Sequence, residues 1–376
     1  MFKFRRASVV VAAGAMLFAA GCGADSGGDA AGGSSASADG EAGKGKKLAM
    51  VGLYTNTYTE DMAAGAKVAA DADGAEFTQY GPVGLDPNKA INDFQNAVAS
   101  GATGVLTMPF PSELWTTPLN RAIGQGITIT SADVYAEKSK IRTHVGPGKV
   151  GMGAALADAY LKDIPEGTTG TIVPGICVAG LDVLEAPLAG FKIRIEQERP
   201  GIKVIEPQFT AGDIPGNFAA WQRIQAKYSD AIGFVGACDQ DVSNMVKMKE
   251  SVKGDFLIGT TGGGIVPAVS KAIADGEMVG ILNQRGWIQG YVGMKIIANK
   301  TFRDAEMPEG WINTGYDVIS KDNVDELSKV LADPEAAKAY YQKLGDQLVA
   351  DAASLIKTPV TYELDPASVD EPNPTP

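Results

Sequence analysis

The feature that most constrains the fold is a regular alternation of short apolar segments with amphipathic segments, which begins at Lys47. The first unit consists of an apolar run, Leu48–Leu53, a polar loop, Tyr54–Glu60, and a helical pattern with small apolar residues on one face. Strands that alternate with helices form parallel sheets whose two faces are both covered. The sequence therefore predicts an α/β fold.

The number of alternating units exceeds what one sheet usually holds. We therefore predict two doubly wound domains, with the break between them near His144–Lys149. In such sheets ligands bind beyond the carboxyl ends of the strands. The loop after the first apolar run is thus the first candidate site, and it offers hydroxyl, amide and aromatic groups from Tyr54, Asn56, Tyr58 and Thr59. These groups suit a neutral polar ligand such as a sugar.

Residues 1–21 have the pattern of a signal peptide, in which three basic residues precede an apolar run from Val9 to Ala20. The run ends at Ala19–Cys22, which resembles the bacterial lipobox that directs lipidation of a cysteine. An ordinary secretory signal with a chance cysteine is the alternative. Residues 22–46 are rich in glycine, alanine and serine and are expected to form a flexible tether. The sequence thus predicts an exported protein, lipid-anchored through Cys22 to the outer face of the cell membrane or periplasmic.

Charge and spacing argue against two classes of ligand. The formal net charge of −12 argues against nucleic-acid binding, which depends on basic contacts to phosphates. Gly146–Gly151 has the GxGxxG spacing of a dinucleotide site, but Pro147 removes an amide from the phosphate cradle. The acidic residue at the expected distance, Glu166, precedes the next strand instead of following it. The segment is interpreted as a crossover, and no cofactor is predicted.

Patterns for catalysis and metal binding are also weak. The chain has a single histidine, His144, and neither HxxxH nor CxxC spacing, so no catalytic triad or metal site can be assembled. Four aspartates follow predicted strands and could accept hydrogen bonds from sugar hydroxyls: Asp133, Asp182, Asp213 and Asp239. A pair of these carboxylates could instead act in acid–base catalysis. The sequence favours a binding protein, and a carboxylate-based glycosidase is the less favoured alternative.

The chain from Lys47 to about Glu326 resembles the type I periplasmic binding proteins of ABC sugar importers, and in particular the branch that binds ribose, rhamnose and autoinducer-2. The likeness rests on three segments in order: LAMVGLYTNTYTEDMAAGAK, DPNKAINDFQNAVASGATGVLTMPFPSELWTTPLNRAIGQGITITSAD and TGYDVISKDNVDE. The resemblance implies two lobes that close on a ligand about a hinge of three crossings, near Val145–Lys149, Leu282–Gly286 and Trp311–Gly315.

These crossings predict a first lobe of residues 47–146 plus 285–314 and a second lobe of residues 147–284 plus 315–356. A tail of residues 357–376 follows, and its acidic, proline-rich end is expected to be disordered. In the family, closure presents a composite face to the membrane permease. The resemblance therefore implies a monomer that delivers a small sugar or polyol to an ABC importer. A sensory lipoprotein that signals to a membrane receptor would have the same fold and site.

The resemblance also implies ligand-binding residues. Asn56, Tyr58, Asp133 and Gln284 match family positions that contact the ligand, and Asp133 and Asn56 are expected to dominate affinity. In the first lobe, Val134 stands in place of an arginine. The second lobe departs further from the pattern, because Pro187 stands in place of another arginine and Cys238 in place of an asparagine. Thr260 or Thr261 stands in place of an aspartate. The complete candidate set is Tyr54, Asn56, Tyr58, Asp133, Asp213, Asp239, Thr261, Gln284 and Trp287.

Cys177 and Cys238 are expected to lie close enough to form a disulfide. Lipidation of Cys22 would leave two cysteines in an oxidising compartment. Each of them follows a predicted strand, and the first and third strands of a doubly wound sheet are neighbours. Two free thiols packed as small apolar groups are the alternative.

Overall fold

The computed structural model describes residues 39–375. The predicted signal peptide, the predicted lipidation site Cys22 and the start of the predicted tether lie outside the described residues. Among the described residues, none of the helices combines the length and apolar character needed to cross a bilayer.

The strands alternate with helices along the chain. The strands are β1 Lys47–Val51, β2 Glu76–Tyr80, β3 Ala102–Thr107, β4 Thr128–Ala132, β5 Thr143–Gly146, β6 Gly170–Ile176, β7 Ile202–Val204, β8 Gln208–Phe209, β9 Gly233–Gly236, β10 Leu257–Thr260, β11 Gly280–Asn283, β12 Gly310–Asn313 and β13 Asp317–Ser320. The helices are α1 Thr57–Asp71, α2 Pro87–Ala99, α3 Ser112–Gly124, α4 Lys149–Asp163, α5 Asp182–Glu198, α6 Ile214–Lys227, α7 Asp239–Val252, α8 Pro267–Ala274, α9 Gly286–Arg303, α10 Val324–Ala332, α11 Pro334–Ala350 and α12 Ala352–Leu355.

These strands form two sheets. The first has the order β2-β1-β3-β4-β5-β12 and is parallel throughout, and the second has the order β7-β6-β9-β10-β11-β13. Both contain the 2-1-3-4-5 order of a doubly wound sheet. The second sheet adds an antiparallel edge strand, because β13 pairs with β11 in the opposite direction. The predicted α/β class with two doubly wound domains is confirmed.

The chain passes between the two sheets three times. It leaves the first sheet after β5, returns after β11 through α9, and leaves again between β12 and β13. These connections fall at residues 147–148, 284–285 and 314–316. The first two lie within the predicted crossings, and the third extends one residue beyond the predicted end at Gly315. The short strand β12 was predicted only as part of a crossing, because its four residues are too few to show a period.

The C-terminal helices divide between the two cores. Val324 and Leu327 of α10 are buried in the core of the second sheet. Tyr341, Leu344 and Leu348 of α11 are buried in the core of the first sheet, next to α9. Both helices were predicted to belong to the second lobe. An amphipathic pattern shows which face of a helix is buried but not against which sheet.

The first helix of each lobe meets a second helix through paired glycines. A Cβ on Gly65 of α1 would lie 1.9 Å from the carbonyl oxygen of Trp287, and a Cβ on Gly290 of α9 would lie 1.8 Å from that of Met62. The helices α4 and α5 repeat this reciprocal contact, with Gly153 against the Pro187 carbonyl and Gly190 against the Val150 carbonyl. Only glycine permits such close backbone packing.

The end of the chain is ordered against the rest of the protein. Beyond α12 it forms two 3-10 helices, Val360–Leu364 and Pro366–Asp370, and it buries Glu363 and Ser368. The expectation of disorder at the end of the tail is therefore wrong for the described residues, which extend to Thr375. Acidic and proline-rich composition suggested disorder. This segment is instead held by specific contacts of the Glu363, Asp370 and Asn373 side chains and of backbone carbonyls, which composition does not reveal.

Candidate functional site

The first loop is fixed by the start of α1. The Asn56 side chain accepts a hydrogen bond from the Thr59 backbone N–H at 2.9 Å, and the Thr59 hydroxyl accepts one from the Asn56 backbone N–H at 3.0 Å. This reciprocal cap satisfies two amides that the first helical turn leaves free. It also directs the Asn56 amide nitrogen beyond the carboxyl ends of the first sheet.

Asp133 is placed by an uncommon backbone conformation. It follows β4 with a φ of 60° and is 5% exposed. Aspartate tolerates this left-handed conformation better than most residues. Its backbone N–H donates to the Val145 carbonyl of the neighbouring strand β5 at 3.0 Å. The carboxylate consequently lies next to the first crossing.

Lys149, the first residue of α4, lies at the centre of the candidate site. It is fully buried, forms an ion pair with Asp133, and its Nζ donates to Gln284 Oε1 at 3.3 Å. A positive charge at the start of a helix is unfavourable to the helix dipole. The Asp133 carboxylate compensates for it. The side chains of Asp133, Lys149 and Gln284 therefore form one polar cluster next to the crossings, in which Asp133 and Lys149 are buried and Gln284 is partly buried. Asp133 and Gln284 are predicted ligand residues.

Two tyrosines of the first loop lie beside this cluster. Burial, and then the negative charges of Asp239 and Asp133, raise the pKa of Tyr54 above its ordinary range. Burial and the nearby Asp133 likewise raise the pKa of Tyr58. The buried Tyr58 hydroxyl lies close to Gln289 and Asp133. Within the described residues, however, neither this hydroxyl nor the buried Oε1 of Gln289 makes a hydrogen bond of acceptable geometry. A buried hydroxyl without a partner is uncommon in native proteins.

The two lobes touch across the cleft. At the exposed mouth, the Asn56 amide donates from Nδ2 to Asp239 Oδ2 at 2.6 Å. Nearby, a Cβ built on Gly264 would lie 3.9 Å from the Cβ of Thr57. Farther in, Val134 of the first lobe packs with Leu181 and Val183 of the second. The structure is thus a closed arrangement of the lobes.

The remaining candidates lie in other surroundings. Asp213 is exposed and accepts a hydrogen bond from the Gly216 backbone N–H at 2.9 Å, which caps α6. Thr261 is buried, and its backbone N–H donates to Gly236 at 2.8 Å. Trp287 is 2% exposed in the core of the first lobe and stacks on Tyr291 with 5.0 Å between ring centroids. These contacts give Asp213 and Trp287 structural roles, and ligand contacts for these three residues stay a prediction.

A disulfide joins Cys177 and Cys238, whose Cα atoms lie 6.2 Å apart. Cys177 follows β6 and Cys238 follows β9, and these two strands pair in parallel. The bond lies directly before Asp239, so it fixes the loop that carries this residue to the mouth of the cleft.

Sequence reasoning missed Lys149 and Gln289. Lys149 was assigned to a glycine-rich crossover and was not considered as a binding residue. A signal was available, because a lysine at the first position of a helix opposes the helix dipole and needs an anionic partner. Gln289, in the first turn of α9, lies in a helical pattern that does not distinguish it from a surface glutamine.

Asp61 is expected to make the stability of the protein depend on pH. Its Oδ2 accepts a hydrogen bond from the Trp287 backbone N–H at 2.8 Å, and burial raises the pKa of Asp61 to about 6, partly offset by that bond. Because this pKa exceeds that of an unfolded aspartate, the stabilisation is complete below about pH 4 and is lost as the pH rises through about 6. We expect the free energy of unfolding to lose about 2–3 kcal/mol over this range through Asp61.

The variant Asp61→Asn keeps an acceptor for Trp287 but cannot ionise. We expect urea unfolding at pH 4, 5, 6 and 7 to show that the wild type loses stability relative to this variant as the pH rises. A difference between the two proteins that stays constant across the series would show that Asp61 ionises normally.

The periplasmic binding protein domain family matches residues 49–301 of the chain. Among solved structures, one similar protein is an ABC transporter solute-binding protein from Burkholderia graminis in complex with D-arabinose. It has a TM-score of 0.69 and 21% identity, over 76% of this chain and 98% of that one. A solute-binding protein from Agrobacterium vitis, bound with α-D-tagatopyranose, has a TM-score of 0.67 and 20% identity, over 75% and 97% of the two chains.

A third similar structure is a periplasmic solute-binding protein from Actinobacillus succinogenes with bound D-allose. It has a TM-score of 0.67 and 18% identity, over 74% of this chain and 99% of that one. No curated protein sequence matches the chain. At these identities the structural similarity establishes the fold.

Proposed function

The chain belongs to the family of proteins that carry the periplasmic binding protein domain, and from this premise we propose that it captures a small sugar or sugar-like polyol in the cleft between its lobes. The observation that carries the proposal is that polar groups from both lobes converge on the cleft. Asn56 and Asp239 meet at the mouth, and Asp133, Lys149 and Gln284 meet deeper in the cleft. Carboxylate, amide and ammonium groups together can pair with the donors and acceptors of sugar hydroxyls.

The similar structures support a sugar as the class of ligand, because they contain D-arabinose, tagatose and allose. We propose that the protein is a binding protein and not an enzyme, and that it delivers its ligand to an ABC permease outside the cytoplasm. The ribose, rhamnose and autoinducer-2 branch, the lipid anchor at Cys22 and a monomeric state belong to the same proposal. So does the division into two lobes that close about the three crossings.

Binding can be tested with the sugars found in the similar structures and a wider set of pentoses, hexoses, deoxysugars and polyols. A ligand at 100 times its Kd should stabilise the protein by about 2.7 kcal/mol in thermal unfolding. Calorimetry then gives the Kd. The proposal fails if none of these compounds stabilises the protein.

The Tyr58 hydroxyl provides a test of where the ligand binds. Because this hydroxyl makes no hydrogen bond of acceptable geometry in the described residues, we expect Tyr58→Phe to leave the stability of the ligand-free protein unchanged or raise it. We expect the Kd for the identified sugar to rise by up to about tenfold, since a ligand hydrogen bond is lost.

Tyr228→Phe is the matched control. The Tyr228 hydroxyl lies on the second lobe and donates to Gln208 Oε1 at 3.2 Å, so its loss should lower stability slightly and leave the Kd unchanged. If the two variants show the same pattern, Tyr58 does not face the ligand.

A further inference from the structure

Residues 357–375, here called the C-terminal strap, begin on the first lobe. The backbone N–H and carbonyl groups of Lys357 exchange hydrogen bonds with those of Trp311 in β12, both at 2.9 Å. This pairing extends the edge of the first sheet by one residue. The strap is therefore anchored to the first lobe directly before the third crossing.

Next, the strap inserts a buried carboxylate beside the first crossing. Glu363 is 2% exposed, and its Oε1 lies 3.1 Å from Nε2 of His144 in β5. The other ring nitrogen of His144, Nδ1, lies 2.9 Å from the Ser131 hydroxyl. A buried carboxylate is costly without a partner, so this chain of contacts fixes the strap to the strand that leads into the crossing.

The strap then crosses to the second lobe. Its second 3-10 helix, Pro366–Asp370, packs against α4, where the Ser368 carbonyl oxygen lies 3.4 Å from the position of a Cβ on Gly151. Asp370 Oδ1 accepts a hydrogen bond from Arg194 Nη2 of α5 at 2.5 Å. The same short segment thus contacts both lobes.

Finally, the strap returns to the second and third crossings. The Asn373 side chain bonds to both the N–H and the carbonyl of Tyr316, each at 2.9 Å. The Pro374 carbonyl accepts a hydrogen bond at 2.5 Å from Nη1 of Arg285, which is buried and whose Nε and Nη2 both donate to Asp317. The strap therefore contacts His144 beside the first crossing, Arg285 in the second crossing and Tyr316 in the third.

We propose that the C-terminal strap regulates opening of the cleft by favouring the closed arrangement of the lobes; its effect on ligand exchange rests on the proposed function. Hinge rotation is absorbed by backbone changes at the crossings. The strap contacts these crossings and both lobes in the closed structure, in which Asn56 donates a hydrogen bond to Asp239 across the cleft. Opening must therefore break or deform strap contacts, and their loss should shift the population toward open forms.

The population of closed forms can be measured without a ligand. Cysteines at positions 57 and 264, one on each lobe, would have Cβ atoms about 3.9 Å apart in the closed structure, within the range for a disulfide. The rate at which Thr57→Cys/Gly264→Cys cross-links in a glutathione buffer then reports how often the lobes meet. Peptide mapping distinguishes this bond from the Cys177–Cys238 disulfide.

In this background we expect Glu363→Gln/Asn373→Ala to slow cross-linking about tenfold, because the first change removes the charge from the bond to His144 and the second removes two neutral hydrogen bonds. The control is Ala367→Ser, at an exposed position of the strap, which should leave the rate unchanged. The radius of gyration from X-ray scattering should increase in the double variant alone. Asn373→Ala by itself serves if the double variant does not fold.

An unchanged cross-linking rate in a folded strap variant would overturn the proposal. The assay contains no sugar, so it stands even if no sugar binds. Once a ligand is identified, the strap variant should also bind it more weakly by the same factor as the closed population falls.

Discussion

Replacement of Lys149 by methionine is expected to destabilise the protein by about 3–5 kcal/mol. The ammonium group is fully buried and pairs with Asp133, which is 5% exposed. Methionine fills a similar volume but leaves the Asp133 carboxylate in the interior without its cation. Urea unfolding at pH 7 measures the loss.

A second substitution separates loss of the pair from loss of packing. Asn is tolerated at the positive φ of residue 133, so Lys149→Met/Asp133→Asn removes both charges without straining the backbone. We expect it to recover more than half of the lost stability. As a control, Lys162→Met breaks an exposed pair with Asp322, whose side chains are 66% and 73% exposed, and should cost about 0–1 kcal/mol. Equal effects of the two single variants would mean that Lys149 is not a buried partner of Asp133.

Gly290→Ala is expected to destabilise the protein by about 3 kcal/mol or more, at the upper end of the range for overpacked sites. The added methyl group would lie 1.8 Å from the Met62 carbonyl oxygen. The obstacle is backbone, so no side-chain rotation can relieve it and α9 must move away from α1. Because Gln284 and Gln289 flank the start of α9, we also expect weaker ligand binding.

Gly124→Ala is the matched control, since Gly124 is a helical glycine whose Cβ position has open space around it. It should be neutral or stabilise the protein by up to about 1 kcal/mol, because alanine restricts the unfolded chain. Thermal unfolding of the two variants distinguishes a steric effect from a general effect of glycine replacement. Comparable melting temperatures would show that the helices can separate without cost.

The sequence was sufficient for the fold because the signals that determine it are local. Alternating patterns gave the strands and helices, and Asp86 and Asp333 before prolines marked two helix starts, where both side chains cap the helix. The closeness of Cys177 and Cys238 followed from strand order alone. The same reasoning located the loop that carries Asn56 and the turn that carries Asp133.

The candidate site could be predicted only in part, because its central contacts depend on geometry that no sequence period encodes. The positive φ at Asp133 directs its carboxylate toward Lys149, and nothing in either local pattern indicates this pairing. Trp287 is among the predicted ligand-binding residues. The first turn of α9 instead directs it into the core beside Tyr291.

The paired glycine contacts also determine how the molecule could serve as an optical sensor. Since the backbones of α1 and α9 pack directly against each other, as do those of α4 and α5, each pair should move as a rigid body. A fluorophore on Lys67 of α1 and another on Lys162 of α4, both exposed, would then report one distance that varies with the angle between the two rigid bodies. Energy transfer between them would read occupancy of the cleft without altering a group that touches the ligand.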